Sequence, residues 1–312
     1  MDYKKQQIKN HFINFYKDIA ITPSENNLCS EIREQAIEYF NANKISFWDH
    51  KDLDKTTKEN TPSGVSISSQ IACLNHLFYI RNRQDIATAI LKNIDIDVKS
   101  ALKVDDGFVE FEIIGKDNYL NEKYHKRGTK STSIDAVMLA EMNNGAKKIF
   151  AIEWKYTEQY IESYDNEKIQ SKYKRADGQE RKKRYLPLLE NADSPLNVTI
   201  PISEKVIEGI FFEPFDQLFR QTLLVDQMVK AHEYEATDYL HVHVIPQGNL
   251  KLLNENPAKE FLPGKTLHET WINLLKLPEK YKVIDPKNFV SVAQDLPETE
   301  KWLNYLSMRY WK

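Results

Sequence analysis

An α/β (α+β) fold on a mixed central sheet is the class this sequence predicts, and three observations predict it. "FVEFEII" at 108–114 alternates with the period of a strand. Two further strand patterns, "STSIDAVMLAEM" (131–142) and "KKIFAIEWKYTE" (147–158), are joined by Asn143, Asn144 and Gly145, which are hairpin-turn residues. A helical pattern, "EPFDQLFRQTLLVDQMVKAHEY" (213–234), then leads into a fourth apolar strand, "YLHVHVIP" (239–246). A helix between the third and fourth strands implies a right-handed crossover and helices on both faces of the sheet.

The remaining elements follow in order. Ile8, Phe12, Phe15 and Ile19 fall at helical intervals, and Ser30 is placed to cap a second helix, "EIREQAIEYFNANK". A polar linker with Pro62 and Gly64 as breakers precedes a long helical stretch (65–94), expected to break near Arg81 to Gln84. Ile71, Leu74, Leu77 and Phe78 form its apolar stripe. In "FVEFEII", Val109, Phe111 and Ile113 should share one face, with Glu110 and Glu112 on the other. The tail offers a helix at "TLHETWINLLK", a short extended piece and a last helix from Pro297 to Tyr310. The domain reading is a single unit: an N-terminal helical elaboration (1–60), a core (66–246) with a basic insertion at about 159–200, and a C-terminal helical elaboration (247–312).

Composition narrows the function classes. The 312 residues are 41% hydrophobic and 29% charged, which describes a globular chain. The net charge of −3 means that a nucleic-acid partner would be held by a local basic patch. Cys29 and Cys73 cannot build a disulfide framework or a cysteine zinc site, and read as thiols of a reducing cytoplasm. The Lys-rich start lacks the apolar region of a secretory signal, and no apolar run reaches the ~20 residues of a membrane helix. A cytoplasmic protein is expected.

One stretch resists a purely structural reading. Ile149 to Ile152 promise a buried strand, yet Glu153 and Lys155 follow two apart and so point to the same face. In a hairpin with the preceding strand, Ser133, Asp135 and Val137 share a face, and Ala151, Glu153 and Lys155 share another. If those faces coincide, two carboxylates and an ammonium meet at one end of the sheet. Two hard oxygen ligands, with water completing the shell, suit Mg²⁺, and the lysine can hold a water or stabilise charge on a phosphate. Another E-x-K, Glu180-Arg181-Lys182, lies in a charged run without an apolar strand and serves as a control for the spacing alone.

Asp135 followed by Glu153-Trp154-Lys155 resembles the PD-(D/E)XK, or restriction-endonuclease-like, nuclease superfamily, although Ile134 stands where the motif has proline. The predicted order of elements is similar to that superfamily's αβββαβ core. "SSQ" (68–70) with Asn75, "RGTKSTSID" before the aspartate, and "QLFRQ" (217–221) resemble uncharacterised bacterial restriction-endonuclease-like proteins in particular. The resemblance implies a Mg²⁺-dependent endonuclease, Mn²⁺ able to substitute, that cleaves DNA to leave a 5′-phosphate and a 3′-hydroxyl. Restriction, defence and repair are its settings. Asp135 and Glu153 would hold the metal, Lys155 would assist the water, and Gln70, Glu112, Arg220 and Gln221 would support them. A homodimer is one way to supply two sites for two strands. The rival reading is a non-catalytic nucleic-acid-binding or structural protein that retains the fold.

Two patterns remain. The run 168–185 carries Lys168, Lys172, Lys174, Arg175, Arg181, Lys182, Lys183 and Arg184 against Asp177 and Glu180, and is expected to form a loop that binds DNA phosphates. Tyr173 or Tyr185 could stack on a base. His241 and His243 share a face of the last strand; two such histidines can bind zinc, but core histidines are the plainer reading.

Overall fold

The structure, a computed structural model, describes residues 2–15, 27–47, 60–62, 64–128, 131–160, 178–197 and 204–311. A six-stranded mixed sheet forms its centre: β1 (Val98–Leu102), β2 (Glu110–Ile113), β3 (Ile134–Met142), β4 (Lys147–Trp154), β5 (Asp238–Val244) and β6 (Tyr281–Ile284). The order is β1-β3-β4-β5-β6, with β2 also paired to β3. β3 and β4 form the expected antiparallel hairpin, in which Gly145 takes φ +84° and donates its N–H to the Met142 carbonyl. β4, β5 and β6 run parallel.

Two strands were not expected as such. β1 arises from "VKSAL", too short and polar to show an alternation, and pairs with the far end of β3. β2 pairs with the near end of β3, so two short strands share one long neighbour. The short extended piece of the tail becomes β6, so the tail adds one four-residue edge strand to the central sheet.

Helices cover both faces. On one side lie α2 (Arg33–Ala42), α3 (Ser69–Leu77), α4 (Gln84–Ile94), α10 (Pro286–Val290) and α11 (Glu300–Tyr310), packed on Ala136, Met138, Phe150, Ile152 and Trp154. On the other lie α5 (Gly178–Leu189), α6 (Glu204–Ile210), α7 (Phe215–Lys230) and α9 (Leu267–Leu274), packed on Val137, Leu139, Ile149 and Ala151. α1 (Tyr3–Phe15) and α8 (Leu250–Asn254) complete the set. The stretch 65–94 breaks where expected: α3 passes through a 3-10 turn, Phe78–Asn82, into α4. Ser68 caps α3 by accepting the Ile71 N–H, at 3.3 Å. Ser30 does not cap α2; its hydroxyl donates to Glu31, and Ile32 occupies the cap position. The linker between these helices lies mostly outside the described residues.

The charged run is also corrected in part. From Gly178 onward it is helical, because Tyr185 and Leu189, four apart, bury one face of α5 against the sheet's helix layer. Lys168, Lys172, Tyr173, Lys174 and Arg175 lie outside the described residues.

Alternation fails in β2. Val109 and Phe111 pack on the α3 side, but Ile113 packs on the α7 side. The cause is Glu112, whose φ of +52° is a left-handed conformation that a non-glycine residue adopts only at a cost. Glu110 and Glu112 therefore part company. Glu110 is buried in an ion pair with Arg81 at 2.6 Å and accepts from Tyr39 at 2.5 Å. Glu112 opens toward the end of the sheet between α3 and α7.

Candidate active site

β4 sets the geometry. Phe150, Ile152 and Trp154 anchor one face of it, and Trp154 alone, fully buried beside His76 and Phe289, contributes on the order of 3 kcal/mol. With those three fixed, the pleat turns Ala151, Glu153 and then Lys155 toward α7. The chain leaves the sheet after Trp154, and the Lys155 N–H still donates to the Val244 carbonyl. Asp135 lies on β3 one residue beyond the Ala136–Ile152 pair, which puts it beside Glu153. Its Oδ2 accepts the Trp154 N–H at 2.8 Å. On the other side of β3, the pairs Phe111–Ala136 and Ile113–Ile134 bracket Glu112 and Asp135. A row of three carboxylates thus crosses three strands.

Glu112, Asp135, Glu153 and Lys155 line one cleft of about 510 Å³ between α3 and α7. Gln70, Arg220 and Gln221 line it too, as does Arg181. The Lys155 ammonium stands 2.6 Å from Glu153 Oε1, and donates to Gln217 Oε1 at 2.5 Å. Gln221 donates from one nitrogen to Glu153 Oε2 and to the Ser133 carbonyl. Gln217 and Gln221 are one helical turn apart, so a single face of α7 grips both members of the Glu-x-Lys pair. Gln70 donates to Glu112 Oε1 at 3.2 Å, and Ser133 to Glu112 Oε2 at 2.6 Å.

The charges are unequal in consequence. Burial, then Glu153 and Glu112, hold the Asp135 carboxyl well above the usual carboxylate range. Burial works the same way on Glu153, but Lys155 and the Gln221 donor outweigh it and lower its pKa. Burial would depress Lys155, yet Glu153, then Tyr160 and Glu158, raise it. The pair is a carboxylate and an ammonium; Asp135 is the group that strains against ionisation. A cation among these oxygens would relieve that strain, and an all-oxygen donor set with room for water fits Mg²⁺.

Sequence reasoning missed several members of the site. Glu158 accepts from Ser69 and, at 2.7 Å, from the Tyr156 N–H. Continuing the strand to 158, as the apolar pattern suggested, puts Glu158 on the wrong face; the turn after Trp154 brings it back to the cleft. Asp216, fully buried, was silent in the sequence because a lone aspartate early in a helix usually marks a solvated first turn. Of the basic run, Lys182, Lys183 and Arg184 do not line the cleft. Lys182 pairs with Glu204 at 3.5 Å, Lys183 with Glu180 at 3.3 Å, and the Arg184 guanidinium stands over the Tyr185 ring.

His241 and His243 are buried. Their Nδ1 atoms meet the hydroxyls of Thr222 at 2.9 Å and Tyr281 at 2.8 Å. Burial lowers His241 to about 4, against an upward pull from Glu153. Burial, with Lys155 and His241 beside it, holds His243 well below the usual imidazole range. Both are neutral packing residues near neutral pH. Among the described residues, no group of three or more His, Cys, Asp or Glu is arranged to hold a metal ion.

A mixed sheet bearing this Asp, Glu and Lys at one end, gripped by the crossover helix, belongs to a protein of the restriction-endonuclease-like class. A family model described as Restriction Endonuclease associating with ARP (REase-ARP) matches residues 2–311, and the chain belongs to that family. The family's description carries a nuclease-like role. No curated protein and no solved structure matches the chain. No helix among the described residues is long and apolar enough to cross a membrane.

Proposed function

We propose that the cleft hydrolyses phosphodiester bonds of DNA with Mg²⁺, Mn²⁺ serving in its place, as in PD-(D/E)XK nucleases. One observation carries the reading: Glu153 and Lys155 stand side by side on a buried strand face, beside Asp135, in an open cleft. Buried ion pairs are costly to build, and one placed in a cleft beside a second carboxylate is better explained by chemistry than by stability. Asp135 and Glu153 would hold the metal, which when bound supplies Lewis acidity and a more acidic water. Lys155 orients the attacking water and offsets charge that develops on the phosphate. Gln217 fixes the ammonium and Gln221 fixes the carboxylate, so neither has to reorganise on substrate binding. Glu112, held by Gln70 and Ser133, adds negative potential at the same end of the sheet.

The test is incubation of the purified protein with supercoiled, linear and single-stranded DNA, in Mg²⁺, Mn²⁺ or EDTA. Cleavage with either metal and none in EDTA is expected. DNA binding without cleavage under any of these conditions would overturn the nuclease reading in favour of a non-catalytic nucleic-acid-binding protein.

A further inference from the structure

Two guanidinium groups reach the cleft from different helices and meet on one carboxylate. Arg220 of α7 pairs with Asp216 at 3.0 Å, and Arg181 of α5 pairs with the same aspartate at 3.4 Å. Asp216 is fully buried, whereas the two arginine side chains keep 22% and 17% exposure, for Arg181 and Arg220. Both arginines line the cleft that holds Asp135, Glu153 and Lys155. The cleft therefore holds two guanidinium groups as well as the carboxylate row.

The arrangement is built from several sides. Arg220 also donates to Thr132 Oγ1 at 2.7 Å; Thr132 donates to Glu122, and Tyr185 of α5 donates to the same Glu122 oxygen, each at 2.6 Å. Arg220 is thereby fixed to the segment that leads into β3, and α5 is fixed to it too. Burial would depress the Arg220 guanidinium, and Asp216 more than restores it. A guanidinium held in place loses little freedom on meeting an anion, and its planar fork matches two oxygens of a phosphate.

We propose that Arg181 and Arg220, yoked by Asp216, form a phosphate subsite for the backbone of a nucleic acid whose neighbouring phosphodiester lies at Asp135 and Glu153. The subsite rests on the nuclease reading for its substrate and adds where the strand is gripped. Thr132 precedes Asp135 by three residues, a reach of about 10 Å in extended chain. Successive phosphates of one strand are separated by more than their ~3.4 Å axial rise, because the backbone also winds around the axis, so this reach covers about one to two phosphates. The gripped phosphate therefore lies within about two nucleotide steps of the scissile bond.

The test is anisotropy of a labelled 20-base-pair duplex in EDTA, titrated with wild type, Arg181→Gln, Arg181→Lys and Lys183→Gln at several salt concentrations. Arg181→Gln should bind more weakly, with the salt slope flattened by about 0.9 for the lost phosphate contact. Arg181→Lys keeps the charge and loses the fork, so it should bind about three- to tenfold more weakly with the slope unchanged. Lys183→Gln, on the outer side of α5, should match wild type. Melting temperatures of all four proteins confirm that folded states are compared. Wild-type affinity in Arg181→Lys, or an Arg181→Gln effect no larger than that of Lys183→Gln, would overturn the subsite. Because the assay contains no metal, a wild type that binds as described but never cleaves would refute the nuclease reading and leave the subsite standing.

Discussion

Glu153-Trp154-Lys155 and Glu180-Arg181-Lys182 have the same spacing of carboxylate and ammonium and opposite fates. In the first, the strand period puts Glu153 and Lys155 on one face; they pair at 2.6 Å with 1% and 5% of their side chains exposed. In the second, the helix period separates residues two apart, and Glu180 reaches Lys183 instead, at 3.3 Å with 69% and 75% exposed. Spacing acquires meaning from the element that carries it. The buried pair also needs a scaffold that the exposed one does not: Trp154 locks the strand, Gln217 holds the ammonium and Gln221 holds the carboxylate. The control motif has a further lesson, because its middle residue, Arg181, is the one that lines the cleft.

Substitutions in the two motifs should have very different consequences. Lys155→Met should reduce metal-dependent DNA cleavage by about 10²–10³-fold, the typical loss when a charge-stabilising group is removed. Its Mn²⁺ affinity, read by calorimetry, should hold or rise, because an ammonium is no ligand and competes for Glu153. Lys182→Met should leave both unchanged; equal losses in the two variants would break the distinction.

Stability separates the motifs next. Removing a carboxylate from an acidic cluster ordinarily relieves repulsion, and the sequence alone would suggest that Glu153→Ala is tolerated. The structure reverses that expectation, because Glu153 is the counter-charge of a buried lysine. Glu153→Ala should cost about 3–5 kcal/mol in urea unfolding, and Glu180→Ala less than about 0.5 kcal/mol. Similar midpoints for the two variants would show that Lys155 finds another partner.

A pH effect of smaller size should mark Asp135. Its pKa is raised by burial and by Glu153 and Glu112, so its stabilising contribution is full below the unfolded value of about 3.9 and is lost as pH rises through the folded value. Asp135→Asn cannot ionise. Its melting temperature, relative to wild type, should therefore improve as pH rises above about 4 in metal-free buffer. A constant difference across that range would place Asp135 in an ordinary solvated setting.

The smallest effect belongs to the outer side of α5. Lys182 and Lys183 point away from the cleft, each toward a glutamate. Neutralising both should flatten the salt slope of DNA binding by less than about one unit. A larger change would mean that the helix meets DNA broadside.

The sheet and the crossover helix were legible because their signals are local. Alternation, an Asn-Asn-Gly turn and a 3.6-residue stripe each identify one element without knowledge of its neighbours. β1 was not legible: five residues with a single charged lysine among small side chains show no period, and only pairing with β3 makes them a strand. Ser30 looked like a cap, but Glu31 competes for its hydroxyl. Within the site, Asp135, Glu153, Lys155 and Gln221 could be read because strand and helix periods project them onto known faces. Glu158 and Asp216 could not, since their places depend on where a strand ends and on which helix packs opposite. The left-handed Glu112 belongs to the same class: no pattern in "FVEFEII" announces that its backbone turns over.

The most direct measurement is the initial rate of plasmid nicking in Mg²⁺ or Mn²⁺ by Glu153→Gln beside Glu180→Gln, each normalised to wild type. Both substitutions remove one carboxylate charge and nearly preserve shape, and in Glu153→Gln the new amide oxygen could still meet Lys155. Nicking should fall by at least about 100-fold in Glu153→Gln and be retained in Glu180→Gln. Wild-type nicking in Glu153→Gln would contradict the nuclease reading, because the buried Glu-x-Lys pair would then be part of the fold and not of the chemistry.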